Sequence, residues 1–263
     1  MNLARQHYQK HTAKEEAAQA SEFGSMKNAT AYQQLQMQLK SDQARLSQVQ
    51  STSRKVMLKQ DLIENYMPYV NGILEARPGV DDEVVSRMLI WSIDIADYQK
   101  ALEIGYYMLT AKLGLPDSFS RKTATFMTEQ IADDFLKELK NGNEVDIKVL
   151  HQLEQLINDE SIDINERDMP EVVKAKLYLA LGKASLALVT ADTEQDLGFA
   201  NDAKRYLDIA IGLDDKCRGK TDLNNANKLI EQIESALANV TTAAVNTVTA
   251  TAENTTVENT PTV

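Results

Sequence analysis

The segment GLDDKCRGKT, residues 212–221, ends in the Gly-Lys-Thr triplet that closes the phosphate-binding loop of many nucleotide hydrolases. Such a loop has the spacing G-x-x-x-x-G-K-[ST], because that length lets successive backbone amides surround the phosphates. Six residues separate the two glycines here, which is too long, and Asp214 and Asp215 would bring carboxylates next to phosphate oxygens. The preceding AKRYLDIAI has a helical pattern and not that of a buried strand. We therefore predict a turn between two helices, in which Gly219 ends one element and Thr221 caps the next.

Carboxylates beside a lysine are the groups that hold Mg²⁺ in nucleases of the PD-(D/E)-x-K type. Pro116-Asp117 and Asp214-Asp215-Lys216 are short patterns of this kind. They lie far apart in the chain on predicted turns, whereas such nucleases usually combine ligands from adjacent strands. We predict no catalytic residue, and a Mg²⁺-dependent DNA endonuclease stays open as an alternative hypothesis.

Histidines offer a second candidate for metal chemistry. His7 and His11 have the i, i+4 spacing that places two ligands on one helix face. No third ligand lies near them in the sequence, and the remaining histidine, His151, completes no convincing nucleophile arrangement with a serine or cysteine. We therefore predict histidines that face solvent or phosphate, with no metal site and no cofactor.

Basic residues are concentrated at the start of the chain, although its net charge is -11. Residues 1–60 carry nine Lys/Arg and four Asp/Glu, whereas the remaining residues carry nineteen and thirty-five. This asymmetry suggests a basic arm that meets an anion and an acidic body that does not. One copy would bind phosphate weakly, and several assembled copies would add avidity. The candidate phosphate contacts are Arg5, Lys10, Lys14 and Lys27, with Lys40, Arg45, Arg54 and Lys55 as secondary contacts.

The elements that position these residues are predicted to be helices. Gly (10) and Pro (5) are scarce for a chain of 263 residues, while helix-forming residues are plentiful. Cys217 is the single cysteine, which excludes a disulfide within one chain and a cysteine-rich metal site. The polar start lacks the apolar core of a signal peptide, and no apolar run predicts a membrane span. We therefore expect a soluble, intracellular, all-α protein without membrane contact.

Residues 1–28 are predicted to form the basic N-terminal arm. Residues 29–66 are predicted to contain one long helix, from Thr30 to about Tyr66, because this stretch lacks Gly and Pro. Its heptad positions form an apolar seam that Asp42 and Ser53 interrupt. A helix this long is expected to bury little against its own chain, so we predict a coiled-coil-like seam between copies of the protein. The predicted oligomerisation residues are Tyr32, Leu35, Leu39, Leu46 and Val49.

Residues 67–238 are predicted to form a body of stacked helical hairpins. The apolar segment EVVSRMLIWSIDIAD should be buried on most sides, with Asp81 or Asp82 capping its helix. The blocks LYLALGKASLAL and ANDAKRYLDIAIGLD resemble the first and second helices of tetratricopeptide repeats, without a regular period. Residues 239–263 are rich in Thr, Ala, Asn and Val and are predicted to be a disordered tail.

Three segments, PYVNGILE, LIWSIDIADYQKALEI and FMTEQIA, resemble the small terminase subunit family of Peduovirus-type tailed phages. Its members are often labelled as terminase endonuclease subunits, and the resemblance covers roughly residues 5–235. It implies a protein that recognises the cohesive-end region of double-stranded phage DNA, oligomerises, commonly as a ring, and delivers DNA to the large terminase subunit. The large subunit of such pairs carries the ATPase and the nuclease. The expected location is the host cell cytoplasm, in a packaging complex outside the mature virion.

The sequence departs from the family pattern in one respect. Family members can end in a Lys/Arg-rich tail, whereas residues 239–263 contain no basic residue, so DNA contact is expected from the arm and the long helix. The sequence thus favours a non-catalytic DNA-recognition and assembly subunit. The alternatives are the Mg²⁺-dependent endonuclease and a tetratricopeptide-like adaptor that binds only protein.

Overall fold

The computed structural model describes residues 3–23, 30–116, 119–190 and 193–253, with side chains described up to residue 20 of the first range and residue 239 of the last. Within these ranges the chain forms twelve helices and no strand, which confirms the all-α prediction. None of the helices in the described ranges combines the length and apolar composition that a bilayer crossing requires. The helices are α1 (Leu3–Phe23), α2 (Thr30–Gln48), α3 (Thr52–Ile63), α4 (Met67–Ala76), α5 (Glu83–Asp94), α6 (Tyr98–Thr110), α7 (Thr123–Lys140), α8 (Ile147–Asn158), α9 (Ile164–Arg167), α10 (Glu171–Ala187), α11 (Glu194–Leu213) and α12 (Lys220–Glu253).

The chain divides into two compact units. The first unit comprises Met1–Phe135 and Lys148–Leu177, and the second comprises Leu136–Ile147 and Tyr178–Val263. Each unit is built from helices, and the tetratricopeptide-like character predicted for the body stays a prediction.

The core of the first unit is built around α5, which is buried on most sides. Met88 has no exposed surface, and Trp91 packs edge-on against Tyr66 with ring centroids 5.8 Å apart. Asp82 caps the start of α5, since its carboxylate accepts a hydrogen bond from the Val85 amide at 3.0 Å. The predicted burial of this segment and its predicted Asp cap are both confirmed.

The single helix predicted from Thr30 to about Tyr66 is divided into α2 and α3 before α4 begins. Ser51 has extended backbone geometry, with φ −71° and ψ 124°, and its hydroxyl accepts a hydrogen bond from the Arg54 amide at 3.4 Å. A serine hydroxyl that satisfies a free amide is a favoured helix start. The break therefore comes from a side-chain cap, which the absence of Gly and Pro did not reveal.

The predicted oligomer seam is part of the core of the first unit. Tyr32, Leu35, Leu39 and Leu46 expose between 1% and 7% of their surface, because α2 packs against α1, α3 and α5. Val49 lies just beyond α2 and is half-buried. The expectation that this helix buries little against its own chain is wrong. These buried side chains cannot pack against a copy of the protein while α2 holds this position.

The second unit has its own apolar cluster, formed by the end of α10, α11 and the start of α12. Leu179, Leu207 and Ala226 belong to this cluster. Gly182 permits close packing of α10 on α11, because a Cβ there would lie 2.6 Å from the Leu207 Cγ.

The segment with the Gly-Lys-Thr triplet is a turn between α11 and α12, as predicted. Helix α11 ends before Asp214, and α12 begins directly after Gly219. The Gly219 carbonyl accepts a hydrogen bond from the Leu223 amide at 2.9 Å, so Gly219 and not Thr221 precedes the helix. Cys217 lies in this turn and is partly buried against the cluster of the second unit.

Helix α12 extends further than the composition predicted. It continues to Glu253, so residues 239–253 are helical where a disordered tail was expected. This stretch contains several alanines and neither Gly nor Pro, so no residue in it breaks the helical hydrogen-bond pattern. Residues 254–263 lie outside the described residues.

Candidate nucleic-acid interface

Helix α1, which carries the predicted basic arm, lies against α4 through small residues. Ala13, Ala17 and Ala20 of α1 are buried. A Cβ on Gly72 of α4 would lie 2.5 Å from the Lys10 carbonyl oxygen and 2.9 Å from the Ala13 Cβ. The two helices approach this closely because residue 72 has no side chain.

Two of the predicted phosphate contacts on α1 share one carboxylate of α4. Glu75 Oε1 lies 2.5 Å from Lys10 Nζ, and Glu75 Oε2 lies 3.7 Å from Lys14 Nζ. The hydrogen bond from Lys10 and the charges of both lysines hold the pKa of the Glu75 carboxyl below its ordinary value. Arg5 is exposed on the same helix, and Lys27 lies outside the described residues.

Two of the secondary predicted contacts lie at the junction of α2 and α3. A cleft of about 570 Å³ at this junction, termed the basic cleft below, is bordered by the two arginines among the secondary contacts, Arg45 and Arg54. Both arginines are exposed, and the first turn of α3 adds the partial positive charge of a helix N-terminus. Lys55 follows on α3, and Lys40 is exposed on α2. The full lining of the basic cleft is Arg45, Gln48, Val49, Gln50, Ser51, Arg54 and Leu58.

The chemistry of the basic cleft suits a phosphate group. Guanidinium groups donate paired hydrogen bonds to phosphate oxygens, and Gln and Ser side chains add neutral donors. Contacts of this kind to phosphates carry no sequence information, so they would hold a nucleic-acid backbone whatever its sequence.

Asp42 positions one arginine of the basic cleft, a role that its place in the sequence did not reveal. Its carboxylate is buried, accepts a hydrogen bond from the Tyr66 hydroxyl at 2.7 Å and accepts another from Arg45 Nη1 at 3.1 Å. Asp42 therefore joins α2 to the segment before α4 and orients the Arg45 guanidinium. The clue in the sequence was an acid at an apolar heptad position, three residues before an arginine.

The remaining candidates for chemistry are dispersed. His7 and His11 share one face of α1, as their spacing predicts, with ring centroids 6.2 Å apart. Within the described ranges, no group of three or more His, Cys, Asp or Glu side chains is arranged to hold a metal ion. Asp215 of the nuclease pattern is exposed in the turn before α12, and Asp117 lies outside the described residues.

Comparison with known proteins gives a consistent result. Residues 36–167 match the family described as phage small terminase subunit. A protein named "Terminase, endonuclease subunit" from Escherichia phage P2 is 30% identical over 176 residues, which is 66% of this chain and 68% of that protein. No solved structure matches the chain. The family match begins within α2 and ends with α9, so it contains the basic cleft and Glu75 but not α1.

Proposed function

The chain belongs to the phage small terminase subunit family, which serves phage genome packaging, and from this premise we propose that it binds double-stranded viral DNA and brings it to the large terminase subunit. Its target is the cohesive-end region of the DNA, and it acts as a homo-oligomer in the host cell cytoplasm. In this proposal the large subunit supplies ATP hydrolysis and DNA cleavage, and the present chain supplies binding and assembly.

The basic cleft is the observation that supports DNA binding most directly. Residues 40–60 contain five Lys/Arg and one acidic residue, and this stretch lies inside the region that matches the family. Basic side chains that neutralise phosphates release counterions from the duplex, so the resulting affinity falls steeply as salt rises. The acidic remainder of the chain repels DNA and thereby favours contact at the basic surface.

A salt titration of DNA binding tests the assignment. Arg54→Gln combined with Lys55→Gln should weaken binding to a fluorescently labelled DNA duplex. The plot of log Kd against log salt concentration should become flatter by roughly 0.9 for each phosphate that the variant no longer neutralises. The matched control, Lys204→Gln with Lys228→Gln, removes the same charge from exposed positions on α11 and α12 and should leave the slope unchanged.

Two results would contradict the proposal in different ways. Equal slopes for the variant at Arg54 and Lys55 and for the control would show that the start of α3, which borders the cleft, does not contact phosphates. No retardation of any duplex at low salt, even by the unsubstituted protein, would favour the adaptor that binds only protein.

Assembly into an oligomer would compensate for the small size of the basic surface on one copy. A single cleft offers few phosphate contacts, and several linked copies raise affinity without any new type of contact. Because the α2 seam is buried in the first unit, we expect the copies to meet through other surfaces. A monomeric native mass with and without DNA would overturn this part of the proposal.

The name of the phage P2 relative favours a second candidate, a Mg²⁺-dependent endonuclease. Pure protein incubated with cohesive-end DNA and Mg²⁺, without the large subunit, distinguishes the two functions. Cleavage that is abolished in Asp117→Ala or Asp215→Ala would establish the endonuclease. Intact DNA would favour the non-catalytic subunit.

A further inference from the structure

Over residues 3–20, whose side chains are described, helix α1 packs against α4 through small residues. The buried side chains in this range are alanines, whereas Leu3 is 81% exposed and Tyr8 is 70% exposed. Alanine buries little apolar surface, so hydrophobic burial stabilises this docking weakly. Glu16 also connects α1 to α2, since its carboxylate accepts a hydrogen bond from the Ala31 amide at 3.1 Å. Helix α1 is therefore an element whose docking responds to a change in charge.

Glu75 places a negative charge where this polar helix meets α4. Its carboxylate contacts both Lys10 and Lys14, whose side chains are 40% and 54% exposed. Ion pairs that are this exposed contribute little stability and are screened by salt. A DNA phosphate offers the same kind of charged oxygen to the same ammonium groups. Phosphate and Glu75 therefore compete for the two lysines.

We propose that Glu75 is an autoinhibitory contact, which holds Lys10 and Lys14 on α4 in the free protein and releases them when DNA phosphates take its place. This inference rests on the DNA binding proposed above. Arg54 of the basic cleft is exposed in the free protein, whereas the two arm lysines share Glu75 and become full DNA contacts only after Glu75 releases them. DNA binding then weakens the docking of α1 on α4, and this docking weakens DNA binding.

The variant Glu75→Gln tests this competition, because glutamine keeps the shape of the side chain and removes its charge. Glu75→Gln should tighten binding to a labelled DNA duplex and steepen the plot of log Kd against log salt, by roughly 0.9 for each lysine that gains a phosphate. The matched control is Glu103→Gln. Glu103 is a similarly exposed glutamate that also lies 2.5 Å from a lysine, Lys100, on α6. The variant Glu103→Gln should change the slope much less than Glu75→Gln does.

A combined variant assigns the gain to the arm. Lys10→Gln and Lys14→Gln, added to Glu75→Gln, should remove the extra slope, because no released lysine is left to meet a phosphate. If the combined variant keeps the steeper slope, Glu75 acts by direct repulsion of DNA, and the proposed release of the lysines is overturned.

Hydrogen exchange in the absence of DNA tests whether Glu75 holds α1, independently of DNA binding. Hydrogen exchange of the α1 amides should be several-fold faster in Glu75→Gln than in the unsubstituted protein, while the α5 amides of the core exchange at the same rate. Unchanged exchange across α1 would show that Glu75 does not hold the arm.

The outcomes distinguish failure of this inference from failure of the proposed function. If DNA binds and the slopes of Glu75→Gln and Glu103→Gln are equal, the autoinhibitory contact is overturned and DNA binding stands. If no variant and no unsubstituted protein binds DNA, both are overturned. A steeper slope that depends on the two arm lysines, together with faster α1 exchange, supports the inference.

Discussion

At the scale of single residues, Asp82 is a buried acid with two partners. One carboxylate oxygen accepts a hydrogen bond from the Val85 amide at 3.0 Å, and the other accepts one from the Tyr69 hydroxyl at 2.6 Å. Burial in the core raises the pKa of Asp82 from 3.8 to about 6, although both hydrogen bonds oppose the shift. Burial likewise raises the pKa of Tyr69. The protein therefore takes up a proton in its core in mildly acidic solution.

This pKa predicts how stability depends on pH. The folded protein holds the Asp82 proton more tightly than the unfolded chain, so the protonated acid contributes stability that is complete below about pH 3.8 and is lost as pH rises through about 6. Two pKa units correspond to roughly 3 kcal/mol in the free energy of unfolding. Asp82→Asn should remove this dependence, measured by urea unfolding from pH 4 to 7 with the single tryptophan, Trp91, as the fluorescent reporter.

The neighbouring acid provides the control for this measurement. Asp81 is exposed, so Asp81→Asn changes the charge at almost the same place without changing a buried group. It should retain the pH dependence of the unsubstituted protein. If Asp82→Asn retains that dependence as well, the pH dependence does not come from Asp82.

At the scale of helices, the sequence predicts what depends on local chemistry. The burial of α5 and its Asp82 cap follow from a run of apolar residues and one well-placed acid. The partner of α2 does not follow, because a heptad seam specifies burial and is satisfied equally by the same chain or by a copy. The break at Ser51 was hidden for a similar reason, since a serine is tolerated inside a helix and also begins one.

The candidate interface was predictable to a comparable extent. The basic residues stand out in the composition of residues 1–60. Their pairing with Glu75 does not, because the residues are distant in sequence and the buried side chains of α1, among those described, are alanines. A contact made through Ala13 and Gly72 leaves no apolar periodicity to detect.

This contact predicts the effect of a single methyl group. Gly72→Ala should displace α1 from α4, because the added Cβ would meet the backbone of α1. Helix α4 itself should become more stable, since Ala is favoured over Gly inside a helix by about 1 kcal/mol. Limited trypsin digestion should therefore cut faster after Lys10 and Lys14, with the fluorescence of Trp91 unchanged.

The control is also a Gly→Ala substitution in a helix, at a position where the added Cβ makes no close contact. Gly198 lies in α11, and a Cβ there would have no atom within 4 Å. Gly198→Ala should leave the rate of trypsin cleavage in α1 unchanged. Equal cleavage rates in α1 for the two variants would mean that α1 does not depend on close approach at Gly72.

At the scale of the whole molecule, we expect the buried face of α2 to contribute to folding stability and not to contacts between copies. Leu39→Ala should lower the free energy of unfolding by about 2–5 kcal/mol, the range for truncating a well-packed leucine. It should leave the native mass of the folded protein unchanged, because Leu39 packs within its own chain. Met37→Ala is the control on the same helix, since Met37 is 66% exposed and should affect stability little.

The result that would reverse this interpretation is specific. If Leu39→Ala lowers the native mass while the protein stays folded, as judged by circular dichroism, the α2 seam joins copies after all. The helix would then have to leave its place beside α5 when the oligomer forms.

The turn between α11 and α12 also offers a way to count the protein. Cys217 is the single cysteine of the chain and is only partly buried, so a thiol-reactive dye marks each copy once and at the same place. The number of bleaching steps in one complex on a surface then equals the number of copies, and energy transfer between dyes reports their separation. A dye on the segment that looks like a nucleotide-binding loop would therefore test the proposed assembly by counting the copies.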